Sequence, residues 1–234
     1  MINLNFDIYY NMAGFKKYLG NPKLAYAEVL DQALNTVPLN DNDRLTRGSR
    51  SDYIEGQFNF KRIYNDAILD ANDGDIFLEL GSWLGKSTCY MAERIRDSKK
   101  NVTFHAVDNF LGEDMASLDE ELLKHTEISI YDIFVKNMKN AGIYQLITDH
   151  KLNTHEAAGL FEDETLKFVF IDANHEYEFV KRDIELYYPK VKSGGTIAGH
   201  DTQSEGVKKA IDEFFAKQSE DISYYKNSWI HKKK

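Results

Sequence analysis

Two short polar segments of the sequence carry side chains suited to acid–base chemistry. Asp172-Ala173-Asn174-His175 follows one apolar run, and Gly199-His200-Asp201 follows another. An imidazole titrates close to neutral pH, so a histidine can take a proton from a substrate hydroxyl. His175 is therefore the predicted general base, and Asp172, three residues earlier, is the second predicted catalytic residue.

The same two segments predict a site for a divalent cation. Carboxylate oxygens together with an imidazole nitrogen suit such an ion, and the predicted ligands are Asp172, His200 and Asp201. The ion would fix a substrate hydroxyl and lower its pKa. Each residue alone is more often a helix cap or a structural group. The interpretation depends on all of these residues meeting at the ends of two adjacent strands.

A third segment, residues 76–87, is typical of a strand that runs through a glycine turn into a helix. The apolar run from Ile76 to Leu80 favours a strand. Gly81 permits a sharp turn because it has no Cβ, and Gly85 lets the helix begin close to the strand. A turn of this kind presents backbone amides to a ligand.

The residues in this turn restrict what the ligand is. A dinucleotide site needs small residues where Trp83 stands, and the phosphate loop of NTPases needs a glycine where Leu80 stands. Glu79, at the strand end, would repel a diphosphate. An acid here suits a ligand that carries positive charge and hydroxyls. S-adenosylmethionine (SAM) has a sulfonium and an amino group, and it has no phosphate.

Asp108 closes the next predicted strand, where a carboxylate would hold ribose hydroxyls; the alternative is a loop acid or a helix cap. The predicted cofactor-binding residues surround the glycine turn and the neighbouring strand ends: Glu79, Gly81, Ser82, Trp83, Gly85, Ser87, Asp108, Asn109 and Asp172.

Strand-like and helix-like segments alternate along the chain, which indicates right-handed crossovers and a parallel sheet. We predict an α/β fold: a Rossmann-like, doubly wound, mostly parallel seven-stranded sheet with helices on both faces and a C-terminal antiparallel hairpin. Ligands of such sheets bind at the carboxyl ends of the strands. Glu79, Asp108, Asp172 and Asp201 all fall at such ends.

The hydrophobic pattern predicts the bounds of these elements, with Thr154 as one helix N-cap and Ser193-Gly194-Gly195 as a turn. Predicted helices cover residues 24–34, 55–72, 128–141, 154–161, 176–191 and 205–217. Predicted strands cover residues 76–80, 101–108, 144–148, 166–171 and 196–199, followed by a hairpin of 222–226 and 228–231. Residues 111–126 are predicted to form a flexible segment over the pocket.

Composition excludes several classes of protein. A formal net charge of -9 argues against a nucleic-acid partner. Cys89 is the one cysteine, so no internal disulfide forms, and a small buried apolar role is expected. No apolar run is long enough to span a bilayer, and no signal peptide is recognisable. We therefore expect a cytoplasmic protein with no membrane partner and a small-molecule acceptor.

Two motifs carry a family resemblance. Glu79-x-Gly81-x-x-x-Gly85-x-Ser87 resembles motif I of the class I SAM-dependent methyltransferases. Residues 170–177 with Gly199-His200-Asp201 are similar to the subfamily that includes macrocin-type and related sugar O-methyltransferases. The resemblance runs from Ile76 to the C-terminus. It implies an O-methyltransferase that uses SAM, often with Mg²⁺, and His200 departs from it, because metal-dependent members have an acid there.

The resemblance leaves the start of the chain unassigned. Residues 1–54 are predicted to form a lead-in that caps the active site or acts as a dimer arm, and residues 55–234 form the methyltransferase domain. Oligomeric state is open, with a homodimer as the commonest assembly. Three alternatives also stay open: an amine or carboxylate acceptor, a catalytically inactive cofactor-binding module, and an NAD-dependent oxidoreductase.

Overall fold

Seven strands form one sheet in the residues that the computed structural model describes, 49–112, 129–218 and 220–234. The strands are β1 (Ile76–Leu80), β2 (Thr103–Asp108), β3 (Ile147–Lys151), β4 (Leu166–Ile171), β5 (Val191–Gly199), β6 (Ser223–Tyr225) and β7 (Ser228–Lys232). The α-helices in the same residues are α1 (Lys61–Leu69), α2 (Lys86–Ser98), α3 (Ile130–Asn140), α4 (Thr154–Ala157), α5 (Tyr177–Tyr187) and α6 (Glu205–Gln218). Short 3₁₀ turns cover Arg50–Tyr53, Tyr144–Leu146 and Ala158–Leu160.

The strand order is β3-β2-β1-β4-β5-β7-β6. Strands β1 to β5 pair in parallel, and β7 pairs antiparallel with both β5 and β6. The chain runs outward from β1 to β3 and then returns to place β4 on the other side of β1. This confirms the predicted doubly wound, Rossmann-like α/β fold, and it creates the switch point at which such sheets bind ligands.

Helices cover both faces of the sheet, as predicted. Side chains of α1, α2 and α3 share one apolar core with Phe168 and Phe170 of β4. Side chains of α5 and α6 share the other core with Val169 and Ile171. All six residues of β4 are buried, which is why its sequence is almost continuously apolar.

Helix α3 has a recognisable capping motif at each end. Ser129 and Asp132 form a capping box at its start. At its end Gly142 takes a φ of 67°, and Ile143 N–H donates to the Met138 carbonyl in a Schellman arrangement. Gly142 therefore ends this helix. The helix thereby presents its inner side chains to the glycine turn after β1.

Two strand predictions were wrong. Residues 144–146 form a 3₁₀ turn, and the strand lies at Ile147–Lys151, where polar side chains on an edge strand hide the alternating pattern. Gly194 and Gly195 were predicted as a turn, but they lie within β5. The pairing of β5 with β4 shifts register between Leu166 and Phe168, and an irregular strand accommodates glycines there.

Helix bounds also differ from the predictions. The helix predicted over residues 55–72 is confined to Lys61–Leu69, and that predicted over 176–191 is confined to Tyr177–Tyr187. Asn153, not Thr154, is the N-cap of α4, because its side chain forms a capping box with Glu156. The Thr154 hydroxyl instead donates to Asp183 at 2.6 Å.

Several predictions lie outside the described residues: the helix over 24–34, most of the lead-in, and most of the segment 111–126. Among the described helices, none has the length and apolar content needed to cross a bilayer. Cys89 is buried in the core, as expected.

Candidate active site

The turn after β1 is fixed by two glycines. Gly81 has a φ of 88°, and a Cβ on it would lie 1.9 Å from the Asp172 carbonyl oxygen. Gly85 has a φ of 89°, and a Cβ there would lie 2.5 Å from Met138 Cε. The turn therefore packs directly against the residue that follows β4 and against α3, which no residue with a side chain would allow.

Glu79 lies beneath this turn, with 1% of its surface exposed. Its carboxylate accepts hydrogen bonds from the hydroxyls of Tyr64 at 2.7 Å, Ser82 at 3.2 Å and Thr88. Burial raises the pKa of Glu79, while the hydroxyls of Ser87, Thr88, Tyr64 and Ser82 oppose that rise. Glu79 thus joins α1, the glycine turn and α2, and the structure places this predicted cofactor residue under the turn.

Asp108, at the end of β2, holds the turn from the other side. Its Oδ2 accepts the backbone N–H groups of Ser82 and Trp83, each at 2.8 Å. Its Oδ1 accepts the N–H of Phe110 at 2.6 Å. A carboxylate accepts about four hydrogen bonds, so about one position remains for a ribose hydroxyl. The neighbouring Asn109 donates to the Asn153 side chain at 3.1 Å.

These residues fit a cationic cofactor better than a phosphate. Within the described ranges, neither Glu79 nor Asp108 forms an ion pair with a lysine or arginine. The Ser82 and Trp83 amides, which a phosphate would need, are already taken by Asp108. The edge of the sheet thus offers carboxylate and amide oxygens, the acceptors that an amino group and ribose hydroxyls require.

Trp83 lies in the turn with a φ of 45°. A Cβ on Gly56 would lie 3.2 Å from its ring, so Trp83 packs on the segment that precedes α1. Its Nε1 is buried and has no hydrogen-bond partner among the described residues. Ser82 is buried, whereas Trp83 and Ser87 are partly exposed.

The second half of the site lies at the carboxyl ends of β4 and β5. His175 Nε2 lies 2.8 Å from Asp201 Oδ2. His200 Nδ1 lies 3.1 Å from the same oxygen and 3.6 Å from Asp172 Oδ1. The structure therefore brings together all four residues that the sequence singled out, with Asp201 between the two imidazoles.

The charges of these groups follow from their surroundings. Burial would lower the pKa of His200, but the contacts with Asp172 and Asp201 raise it to about 9. Burial would raise the pKa of Asp201, but His175 and His200 hold it well below its usual range. Burial raises the pKa of Asp172, and His200 opposes this rise. The contacts between these groups therefore favour the ionised form of Asp201 and the protonated form of His200.

The cluster of potential ligand atoms for a divalent cation contains two of the three predicted ligands, Asp172 and Asp201. Potential ligand atoms of Asp172, His175 and Asp201 all lie within 4.8 Å of one another. His200, predicted as the third ligand, instead has Nδ1 against both carboxylates and Nε2 at 3.0 Å from Asn59 Oδ1. Both ring nitrogens of His200 thus contact protein side chains in this arrangement. Any ion here would be held by Asp172, His175 and Asp201.

The backbone around Asp201 fixes its carboxylate. Asp201 has a φ of 57°, a left-handed conformation that aspartate tolerates better than most residues. Gln203 Nε2 donates to its Oδ1 at 2.6 Å. A Cβ on Gly206 would lie 2.6 Å from the His175 carbonyl oxygen, so the start of α6 packs against the turn that carries the base.

Three residues of the site were missed by the sequence analysis: Asn59, Tyr64 and Gln203. Gln203 lies two residues after Asp201, where a local side-chain contact was a recognisable option. Asn59 and Tyr64 carry no local signal, because they reach the site only when α1 packs on the sheet.

A doubly wound sheet with a glycine turn, a buried acid beneath it and an acid–imidazole cluster at the same edge defines a SAM-dependent methyltransferase. Comparison with known families agrees: the family described as "Methyltransferase domain" matches residues 78–202, just over half of the chain. The chain belongs to this family. No curated protein matches the sequence.

Solved structures with a similar fold include several O-methyltransferases. The O-methyltransferase NovP has a TM-score of 0.53 at 18% identity, covering 74% of this chain and 78% of its own. CalS11, a TDP-rhamnose 3′-O-methyltransferase of calicheamicin biosynthesis, has a TM-score of 0.52 at 12% identity, covering 91% and 95%. A SAM-dependent O-methyltransferase from Thermotoga maritima has a TM-score of 0.50 at 13% identity, covering 76% and 67%. At these identities the likeness concerns the fold.

Proposed function

We propose that this protein is an O-methyltransferase that transfers the methyl group of SAM to a hydroxyl of a sugar or another small metabolite. The observation that carries the proposal is the contact of 2.8 Å between His175 Nε2 and Asp201 Oδ2, beside Asp172 at the cofactor edge of the sheet. An ionised carboxylate that accepts from one ring nitrogen leaves the neutral imidazole with its lone pair on the other, Nδ1.

His175 then acts as a general base. It takes the proton of the acceptor hydroxyl, and Asp201 stabilises the imidazolium that results. Gln203 and His200 keep the Asp201 carboxylate in place during this step. When bound, SAM supplies a methyl group already activated on a sulfonium. The protein's task is therefore to position and deprotonate the acceptor and to exclude water.

Cofactor contacts follow the geometry of the turn. In this proposal Asp108 and Asn109 would hold the ribose, and the loop from Gly81 to Gly85 would contact the cofactor. One of the proteins with a similar fold is a TDP-rhamnose 3′-O-methyltransferase. Sugar hydroxyls are therefore the first acceptors to test.

A metal-assisted variant of this mechanism is favoured by one observation, the clustering of Asp172, His175 and Asp201 within 4.8 Å. In that variant the three side chains would hold a divalent cation such as Mg²⁺, which would lower the pKa of the acceptor hydroxyl. His175 would then be a ligand, so the base and ligand roles exclude each other.

Calorimetric titration with SAM and with its demethylated product, with and without Mg²⁺, tests the cofactor assignment. We expect both ligands to bind. Methyl transfer to a panel of sugars, phenols, amines and carboxylic acids tests the acceptor, and we expect turnover with hydroxyl compounds only. Binding without turnover on any compound would favour a cofactor-binding module, and absence of binding would refute the proposal.

His175→Ala tests the base. Loss of a general base lowers kcat by about 10²–10⁴-fold, and we expect SAM affinity to stay unchanged because His175 is not one of the proposed cofactor-binding residues. His155→Ala is the matched control, since His155 is exposed on α4 outside this cluster. Undiminished turnover in His175→Ala would show that another group removes the proton.

A further inference from the structure

Trp83 is held in an unfavourable conformation in the glycine turn. Its φ of 45° lies in the left-handed region, which is a genuine outlier for a bulky side chain. Asp108 accepts the Trp83 backbone N–H at 2.8 Å and helps to hold this conformation. Strained backbone of this kind is concentrated at ligand-binding and active sites.

The Trp83 ring also carries a donor without a partner. Gly56 has a φ of 128°, and a Cβ on it would lie 3.2 Å from Cζ3 and 3.3 Å from Cε3 of the ring. The benzene edge of the indole therefore packs on Gly56. Nε1, on the pyrrole edge, is buried and makes no hydrogen bond to any described residue. An indole N–H only donates, and leaving it unpaired in a buried position is unfavourable.

Lys86, the first residue of α2, adjoins the same glycine. Its own Cβ would lie 3.7 Å from a Cβ on Gly56. The ion pairs within the described ranges involve other lysines and arginines, so no described carboxylate pairs with the Lys86 ammonium group. The helix macrodipole opposes a cation at this position, and the first turn of α2 contains no acid that would compensate.

SAM has one group that these two donors suit. Its amino group and ribose hydroxyls donate hydrogen bonds, which the acids at the strand ends accept. Its carboxylate needs donors and positive charge, and those acids would repel it. The amides of Ser82 and Trp83 are already bonded to Asp108, whereas the Trp83 ring N–H and the Lys86 ammonium group are donors that no described residue uses.

We propose that the Trp83 ring N–H and the Lys86 ammonium group together hold the carboxylate of bound SAM, on the Gly56 side of the glycine turn. This inference rests on the proposed function, because it needs SAM as the cofactor. Nε1 is shielded by the protein, so the ring turns when the carboxylate binds, and the glycine at position 56 places no side chain in its way. The site thereby distinguishes SAM from nucleosides that lack the amino-acid part.

Calorimetry with two ligands tests the assignment without any methyl acceptor. S-adenosylhomocysteine (SAH), the demethylated product, has the carboxylate, whereas 5′-methylthioadenosine has the nucleoside and the sulfur but no amino-acid part. Trp83→Phe keeps an aromatic ring and removes the N–H, and Lys86→Met keeps the stem and removes the charge. Hydrogen bonds to charged groups are among the stronger ones, so we expect each variant to bind SAH about tenfold more weakly. Affinity for 5′-methylthioadenosine is expected to stay within about twofold of the wild-type value, because this ligand makes neither hydrogen bond.

Trp229→Phe and Lys99→Met are the matched controls. Trp229 is the second of the two tryptophans and lies on β7, and Lys99 is an exposed residue directly after α2. Neither belongs to the glycine turn, so both controls are expected to bind SAH like the wild-type protein. Thermal unfolding of all four variants separates a loss of fold from a loss of the site.

Two results would refute the carboxylate site. Unchanged SAH affinity in a folded Trp83→Phe or Lys86→Met protein would show that the substituted residue does not hold the carboxylate. An equal loss of affinity for both ligands would show that these residues support the turn and do not recognise the carboxylate. Binding of neither ligand by the wild-type protein would instead refute the cofactor assignment on which the proposal rests.

Fluorescence tests the movement of the ring. In Trp229→Phe the remaining tryptophan is Trp83, so the tryptophan emission reports on the turn alone. Saturating SAH is expected to shift this emission, because Nε1 gains a charged acceptor, whereas 5′-methylthioadenosine is expected to shift it much less. No shift with SAH, or the same shift with both ligands, would contradict a hydrogen bond between the ring and the carboxylate.

Discussion

The amino ends and the carboxyl ends of the parallel strands both carry acidic side chains, but these side chains have different partners at the two ends. At the amino ends, acids pair with lysines: Asp70 with Lys167, Asp75 with Lys192, and Glu164 with Lys233. At the carboxyl ends, the acids meet hydroxyls, backbone amides and imidazoles. Within the described residues no lysine or arginine pairs with Glu79, Asp108, Asp172 or Asp201.

The pKa values of Asp70, Glu164, Glu79 and Asp172 follow this division, whereas the imidazoles of His175 and His200 hold the pKa of Asp201 low. A hydrogen bond from Lys167 lowers the pKa of Asp70, and one from Lys233 lowers that of Glu164. Burial raises the pKa of Glu79 and of Asp172. Lysine side chains are long and flexible, so the amino ends gain solubility and modest stability. Amides and rings are fixed in direction, so the carboxyl ends gain the geometry that catalysis requires.

The largest expected difference between the two ends of the strands is in the cost, in unfolding free energy, of replacing a glycine by alanine. The two glycines compared have almost the same backbone conformation. Gly81→Ala, at the carboxyl ends, introduces a Cβ 1.9 Å from the Asp172 carbonyl oxygen at a φ of 88°. Strain and overpacking together cost about 4 kcal/mol or more of unfolding free energy, and SAM binding should be lost. Urea unfolding and calorimetry measure the two effects.

Gly74→Ala is the matched control at the amino ends. Its φ is 87°, but nothing lies within 4 Å of the added Cβ. Only the conformational cost of about 1–2 kcal/mol remains. Equal destabilisation by the two variants would show that the close approach of the turn to Asp172 contributes nothing.

A second difference is expected in the pH dependence of stability. Asp183, on α5 near the carboxyl ends, is 1% exposed, and burial raises its pKa to about 6. Its folded pKa is above the unfolded value of 3.8, so the protein loses stability as the pH rises between these values. The full loss, reached above pH 6, is about 3 kcal/mol at 1.36 kcal/mol for each pKa unit.

Asp183→Asn keeps an acceptor for the Thr154 hydroxyl and removes the charge. We therefore expect it to stabilise the protein at pH 7.5 by up to about 3 kcal/mol and to have little effect at pH 4. Urea unfolding at both pH values measures this. The same stability change at pH 4 and pH 7.5 would contradict the assignment.

The smallest expected change in stability comes from removing a charge at the amino ends of the strands. Asp70 has its pKa lowered by Lys167, so its contribution is present at neutral pH and is lost as the pH falls through the folded pKa. The Asp70 side chain is 45% exposed, and solvent screening limits the contribution to about 0.5–1 kcal/mol. Asp70→Asn should lose that amount at pH 7, and the loss should shrink as the pH falls below 3.8, as measured by urea unfolding.

Asp66→Asn serves as the control for Asp70→Asn. Asp66 pairs with Arg62 at 3.5 Å, and both side chains are more than 60% exposed. We expect a change close to zero at both pH values. A loss in Asp70→Asn as large as the gain in Asp183→Asn would mean that the two ends of the strands do not differ as described.

Local sequence patterns were sufficient to predict those elements whose residue types are determined by burial and by spacing along the chain. The run Leu166–Ile171 was predicted with its correct bounds because a strand buried on both faces is almost continuously apolar. The glycine turn and the residues after β4 and β5 were found because their types are constrained by the chemistry. The sheet then brought Asp172, His175, His200 and Asp201 together without further information.

The features that could not be predicted from the sequence depend on contacts between segments that are far apart in the chain. His200 was predicted to coordinate a metal, and no local pattern indicated that Asn59, 141 positions earlier, would face its Nε2. Gly194 and Gly195 resemble a turn, yet backbone hydrogen bonds with Lys233, directly after β7, hold them in β5. Thr154 resembles an N-cap, and only the packing of α5 shows that its hydroxyl contacts Asp183.

The position of β1 between β2 and β4 also sets the order in which the protein can be completed during synthesis. The partner strand β2 begins at Thr103, whereas β4 begins only at Leu166. Until β4 leaves the ribosome, one edge of β1 stays unpaired. Unpaired edges of slowly forming, non-local sheets are the places where nascent chains aggregate or recruit chaperones. Since Asp172 directly follows β4, the step that removes this hazard is the same step that begins to assemble the catalytic residues.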